Sequence, residues 1–249
     1  MKSIIIANWK MNPENVKGAK LLFDSVNKEI KNLSKKPEIV ICPPFIYLSD
    51  LQNIKSNIKL GSQDCFWEDK GSFTGEISCS MLKNFNSKYV IVGHSERRIF
   101  LAETDRNINR KIKAVLKQRL KPIFCIGETK REKDKGRAQT VLRKHIENGL
   151  KKIDRKELEN IVLAYEPIWA IGSGKPCLPD EAKVMRFFLK KVVSQKYSRA
   201  IADKMRMVYG GSVNSQNVKS FIQEAGFNGV LVGGASLKPK EFIGIIKQI

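Results

Sequence analysis

Eight short apolar runs, spread along the whole chain, limit what this sequence can fold into. They are Ser3–Ala7, Glu38–Cys42, Ile58–Gly61, Tyr89–Val92, Pro122–Ile126, Ile161–Ala164, Met205–Tyr209 and Gly229–Val232. Most are rich in β-branched residues and apolar at successive positions. A strand of that kind must be covered on both faces, which is the condition of a buried parallel sheet.

Between most of the runs the apolar period lengthens to that of a helix. Asn15–Leu33 places Val16, Ala19, Leu22, Phe23, Val26 and Ile30 near one stripe. Asp105–Leu120, Arg137–Ile153, Pro179–Tyr197, Ser215–Ala225 and Pro239–Lys247 read the same way, with starts at Asp105, Pro179-Asp180 and Asn214-Ser215. Ser78–Phe85 allows only a short helix. Strands alternating with helices define an α/β chain. An open doubly wound sheet and a closed (β/α)8 barrel both satisfy that alternation, and 249 residues is a typical barrel length. No Pro/Gly/Ser-rich linker interrupts the chain, so residues 1–249 are read as one domain.

The net charge of +21 points to anionic partners: nucleic acid, a membrane surface or a phosphorylated metabolite. A hydrophobic content of 42% rules out a disordered polycation. The densest charge, Lys130–Lys156, includes Glu132, Asp134, Glu147 and Asp154 and no Phe, Tyr or Trp. That pattern reads as a solvated face and makes nucleic-acid binding unlikely. No apolar run approaches a membrane span or a signal-peptide core, so the chain reads as cytoplasmic. Its five cysteines are widely spaced, with no CxxC, and His94 and His145 lie far apart. Neither a disulfide framework nor a metal site is expected.

Chemistry in α/β barrels sits at the C-terminal ends of strands. Here those ends carry Asn8-Trp9-Lys10, His94-Ser95-Glu96, Glu166-Pro167, Gly210-Gly211-Ser212 and Gly233-Gly234. The two glycine pairs follow the last two strands. Backbone N–H groups there can approach an anion closely, which favours a phosphate site over two plain turns. Lys10, placed straight after an apolar strand, can neutralise a phosphate or an enolate oxygen, with Asn8 to orient it. His94 is either a core histidine or a neutral imidazole kept so by a helix starting at Ser95-Glu96. Glu166 is either a buried ion-pair member or a general base. The loop Pro167–Lys175 is unusually apolar and contains Gly172 and Gly174, which suits a lid over a ligand as well as a loop packed on the core.

Five segments in order make the chain resemble the triosephosphate isomerase family. They are Ala7-Asn8-Trp9-Lys10-Met11-Asn12, Gly93-His94-Ser95-Glu96-Arg97-Arg98, Ala164–Gly172, Tyr209-Gly210-Gly211-Ser212-Val213 and Leu231–Leu237. The resemblance runs over nearly the whole chain and implies the closed barrel. It also implies interconversion of dihydroxyacetone phosphate and D-glyceraldehyde 3-phosphate without a metal or organic cofactor. By that resemblance Glu166 is the base, His94 the electrophile and Lys10 the cation near the substrate oxygens. Asn8 is the polar neighbour of Lys10, and Glu96 a carboxylate behind the site. Gly172, Ser212, Gly233 and Gly234 form the phosphate grip. The segment 66–77 resembles a loop that inserts into a partner in a homodimer, where Thr74 supports the neighbour's site.

Three positions depart from the family's usual pattern. Asp64 stands where Asn is common, at the expected dimer contact, either unpaired or neutralised by a cation; the lysine surplus favours pairing. Pro176 occupies a lid-hinge position, where it either stiffens the hinge or is a tolerated loop change. Asn228 replaces an Asp that faces an arginine matched by Arg186, which would leave Arg186 with a charge–amide contact only.

Overall fold

The computed structural model describes residues 1–31, 33, 37–171 and 177–249. The eight apolar runs become parallel strands that close on themselves: β1 (Ile4–Asn8), β2 (Glu38–Cys42), β3 (Lys59–Ser62), β4 (Tyr89–Val92), β5 (Lys121–Ile126), β6 (Val162–Tyr165), β7 (Arg206–Tyr209) and β8 (Gly229–Val232). The closing pair aligns Ile4 with Gly229 and Ala7 with Val232. The fold is therefore the barrel and not the open sheet. Each expected strand lies within a residue of its observed position.

Closure explains why the strands are apolar at successive positions. Ile4, Ile6, Val40, Tyr89, Ile91 and Ile123 point inward and fill the barrel with side chains from the other strands. Their neighbours Ile5, Ala7, Ile39, Ile41, Val90 and Val92 point outward and pack under the helices.

The helices follow their stripes. α1 (Val16–Lys31) buries Ala19, Leu22, Phe23, Val26 and Ile30, and Asn15 caps it by accepting the Gly18 N–H. Two short helices follow in chain order: α2 (Leu48–Leu51), unannounced by any period, and α3 (Cys79–Asn84), capped by Ser78. Then come α4 (Ser95–Phe100), α5 (Asp105–Lys117), α6 (Lys130–Asp134) and α7 (Ala138–Gly149). The last four are α8 (Pro179–Lys196), α9 (Arg199–Lys204), α10 (Val218–Gln223) and α11 (Pro239–Lys247). Helix α10 begins later than its apolar pattern suggests. Asn214 Oδ1 accepts the N–H groups of both Gln216 and Asn217 and holds that stretch as a side-chain turn. Helices α6 and α9 are too short to show a period and rest on their caps, Thr129 with Glu132 and Ser198. Among the described residues no helix is long and apolar enough to cross a membrane.

At the N-terminal end of the barrel one carboxylate ties three strands. Glu38 accepts from Tyr89 Oη at 2.6 Å, Lys59 Nζ at 2.8 Å and Arg206 Nη1 at 2.6 Å. Arg206 Nη2 also donates to Tyr89 Oη at 2.8 Å. Burial alone would raise the Glu38 carboxyl, but the three donors outweigh it and hold it at about 2. A depressed carboxyl contributes stability that is present above its free value, near 4.5, and lost as pH falls towards 2. Glu38→Gln should therefore lower stability at pH 7 by about 3 kcal/mol, as expected when one partner of a buried charge cluster is removed. It should also flatten the acid limb between those pH values. Urea melts at several pH values check both; parallel acid limbs would contradict the assignment.

Candidate active site

Lys10 leaves β1 with φ of +53°, a left-handed conformation that a lysine adopts only when its surroundings insist. Three contacts supply that insistence. Its N–H donates to Asn8 Oδ1 at 3.0 Å, its carbonyl accepts from Gln63 Nε2 at 2.8 Å, and its Nζ pairs with Glu96 Oε1 at 2.6 Å. Gln63 also donates to the Cys42 carbonyl at 2.9 Å, so the ends of β1, β2 and β3 are joined beneath the ammonium. Gln63 reads from the sequence as a strand-end residue beside Asp64, with no role of its own; the structure gives it one.

His94 forms the N-cap of α4. Its Nδ1 accepts the Glu96 N–H at 3.3 Å. In a neutral ring the proton then sits on Nε2, and that nitrogen lies 3.5 Å from Glu166 Oε1. His94 is buried and lines a cavity at the strand ends. Glu166 is buried at the end of β6, and its Oε2 accepts the Ser95 N–H at 3.4 Å. No lysine or arginine pairs with it among the described residues, and its ionisable neighbour is His94. The Cys125 thiol, pushed well up by burial and then by the Glu166 carboxylate, lies beside it.

Two strand ends close the other side. A Cβ on Gly210 would lie 2.7 Å from Glu166 Cγ, and one on Gly233 would lie 3.3 Å from Lys10 Cε. Glycine at these places lets β7 and β8 approach Glu166 and Lys10. The backbone N–H groups of Ser212, Gly233 and Gly234 find no protein acceptor among the described residues. They edge a cavity of about 210 Å³ that Asn8, Lys10, His94 and Glu166 also line. Unused N–H groups beside an ammonium form an anion site.

The first part of the apolar loop packs over this cavity's edge. Ile168–Ala170 is one 3-10 turn, and Ser212 Oγ donates to the Ala170 carbonyl at 2.6 Å. Trp169 Nε1 donates to Glu128 Oε1 at 2.7 Å, under a Lys133 ammonium 3.5 Å from an indole ring centroid. Gly172 and Pro176 lie outside the described residues. Thr74 is exposed, and it does not line the cavity of its own chain.

The other departures come out differently from one another. Asp64 is paired: Lys111 Nζ lies 2.7 Å from Oδ1 and Arg97 Nη2 lies 2.8 Å from Oδ2, while Glu103 shares both cations. The unpaired alternative is thereby excluded, yet burial still pushes the carboxyl up to about 6, with Lys111 opposing, Glu103 adding and Arg97 opposing. A raised carboxyl means stability is lost as pH climbs from its free value of 3.8 to about 6, so ionising Asp64 costs stability within one chain. The expected contact between Arg186 and Asn228 is not formed. Asn228 Oδ1 instead accepts the Met207 N–H at 2.9 Å, and Arg186 Nε is buried without a partner. Burial lowers the Arg186 pKa accordingly.

Moving a proton along a carbon chain needs a base, a proton-carrying partner and a clamp for the anion within one small water-poor space, and barrel enzymes gather such groups on this rim. The protein is a barrel enzyme of that class. The family model described as Triosephosphate isomerase matches residues 3–249. The Triosephosphate isomerase of Dictyoglomus turgidum is 43% identical over 252 residues, covering 99% of both chains. That of Alkaliphilus oremlandii is 43% identical over 248 residues, covering 98% of both, and that of Carboxydothermus hydrogenoformans is 42% identical over 248 residues, covering 99% and 98%. The chain belongs to the triosephosphate isomerase family.

The close approach at Gly210 gives a direct test of geometry. Gly210→Ala should displace the Glu166 side chain and lower kcat by about 10- to 100-fold while the fold is kept. Steady-state kinetics with circular dichroism checks this; unchanged kcat would mean that the carboxylate is not positioned from β7.

Proposed function

We propose that Glu166 carries the proton transfer by which the protein interconverts dihydroxyacetone phosphate and D-glyceraldehyde 3-phosphate. The observation that supports this most directly is the buried Glu166 carboxylate 3.5 Å from His94 Nε2, in a cavity whose far side carries Lys10 and the free N–H groups. The substrate phosphate sits on the N–H groups of Ser212, Gly233 and Gly234, with Gly172 completing the grip. Its carbonyl oxygen lies between His94 Nε2–H and Lys10 Nζ, and Asn8 holds Lys10 in place.

Glu166 gives up its long 3.4 Å bond to Ser95 N–H and takes a proton from the carbon next to the carbonyl. The electron pair moves onto the carbonyl oxygen, and the resulting enediolate is held by the imidazole N–H and the ammonium. His94 passes a proton between the two oxygens, and Glu166 returns its proton to the neighbouring carbon. Atoms and charge balance with no metal or organic cofactor. Glu96 keeps the Lys10 ammonium localised at 2.6 Å. The apolar loop excludes water while the enediolate exists, which limits loss of phosphate.

A coupled isomerase assay tests the base. Glu166→Gln should reduce kcat by about 10³-fold, within the range for loss of a general base. Equal activity in the two proteins would overturn the assignment, and phosphate binding without isomerisation in the wild type would point to another barrel reaction.

The working form is a homodimer built through the segment 66–77, in the cytoplasm and independent of nucleic acid. Support comes from apolar side chains left in water on and just after that segment: Phe73 is 43% exposed and Met81 49%. Phe73 lies tilted against Phe66 with ring centroids 4.5 Å apart, and Phe66 stacks on Trp67 at 4.1 Å, contacts that stiffen the segment. In the dimer Thr74 reaches the partner's Lys10. Charges in the 130–156 region pair within the chain, Lys130 with Asp134 and Lys133 with Glu181, which supports a solvated face. Phe73→Asp should halve the sedimenting mass at micromolar concentration and lower activity in parallel. A wild type that sediments as a monomer would refute the dimer.

A further inference from the structure

The barrel end opposite the catalytic rim holds a larger cavity, which the isomerisation does not use. It encloses about 450 Å³ around the starts of β3, β4 and β5. Phe23, Leu51, Ile54 and Leu60 give it an apolar wall, and Gln52, Asn57 and Asn86 bring amides. Lys59, Lys88, Arg119 and Lys121 line it too, and no carboxylate does.

Compensation separates these cations from ordinary surface lysines. Lys59 alone is ion-paired, to Glu38 at 2.8 Å, and Glu38 is already shared with Arg206 at 2.6 Å. No ion pair reaches Lys88, Arg119 or Lys121 among the described residues. Lys121 lies 5.7 Å from the Tyr89 ring centroid, and burial, then Arg206, pushes its ammonium below the usual lysine value. The backbones that carry Lys88 and Lys121 are tied to one another by main-chain hydrogen bonds. Lys88 N–H donates to the Leu60 carbonyl at 2.8 Å and Lys121 N–H to the Lys88 carbonyl at 2.9 Å. Arg119 sits in the turn before β5 with φ of +59°, an uncommon conformation for a long side chain.

Like charges held around one concavity raise its potential and attract an anion. The apolar wall and the amides have no use for a bare inorganic ion, and the volume suits a drug-sized organic ligand. We propose that this cavity binds an organic polyphosphate of nucleotide size, its phosphates on Lys88, Arg119 and Lys121 and its ring system against Ile54, Leu60 and Phe23. The charge-bearing groups lie on the exposed side of the cavity and the apolar groups on the core side, which sets the ligand's direction: ring inward, phosphates outward.

Equilibrium dialysis at 0.15 M salt tests this with two probes, ATP and inorganic pyrophosphate, and three proteins. The proteins are the wild type, Lys88→Glu/Arg119→Glu, and Lys10→Met as control for anion binding at the catalytic rim. ATP should bind the wild type and Lys10→Met alike, at least tenfold more tightly than pyrophosphate does. Lys88→Glu/Arg119→Glu should lose at least tenfold in ATP affinity while keeping the wild-type kcat/KM, which also reports that it is folded. A milder Lys88→Gln/Arg119→Gln pair should lose affinity in the same direction. Equal ATP affinity in the wild type and the charge-reversed protein would overturn the proposal. So would loss of binding in Lys10→Met, or pyrophosphate binding as tightly as ATP.

Discussion

Barrel closure is the constraint on which the rest of this molecule depends. Once β8 pairs with β1, no strand edge remains, and every strand residue faces either the filled interior or the helical layer. Polar side chains are then admitted only at the two ends of the strands. The ends differ in kind. At the C-terminal end, chain leaving each strand is free to turn over the barrel mouth, and Lys10, His94, Glu166 and the two glycine pairs are brought together there from strands far apart in sequence. At the N-terminal end, the chain enters the strands, and charges are tied into the floor by Glu38, Tyr89 and Arg206. Reactivity and anchoring are separated by the direction of the strands.

The apolar runs were legible because burial on both faces leaves a continuous trace in the sequence. Helices α1, α5, α8 and α11 were legible because one face is buried and the other wet. What escaped was held by single contacts and not by a period. Helix α2 packs only Leu48 and Leu51, and α6 and α9 depend on caps at Thr129 and Ser198. A cap is one residue among many Ser and Thr, so it cannot be told from a loop residue without the helix that follows it. Whether the sheet closed was also out of reach of periodicity, since the pairing of β1 with β8 joins residues at opposite ends of the chain. The family resemblance supplied that closure, and the strand register agrees with it.

In the site, residue identity at a strand end was enough to select Lys10, His94 and Glu166, but their states were not readable. The tautomer of His94 follows from the Glu96 N–H, and the left-handed backbone of Lys10 follows from Asn8 and Gln63. These are contacts between neighbouring loops whose geometry no spacing encodes. Asp64 shows the same limit. The lysine surplus correctly favoured a cation partner, yet two cations and a second acid, Glu103, meet there in a buried cluster. Burial outweighs the pairing in setting its proton affinity.

The charge of +21 divides along the same axis as the fold. At the C-terminal rim Lys10 is held by Glu96 at 2.6 Å, so its field is local and its position is fixed beside the cavity. On outer helices, lysines meet acids in exposed pairs such as Lys190 with Asp203, which contribute little to stability and keep the surface solvated. Around the starts of β3, β4 and β5, cations gather at a cavity that no carboxylate lines among the described residues, and Glu38 beside it is already engaged by Lys59 and Arg206. Net charge alone treats all three populations as one. What distinguishes them is the carboxylate each cation has, and a cation beside an apolar concavity without one is available to a ligand in a way that an ion-paired surface lysine is not.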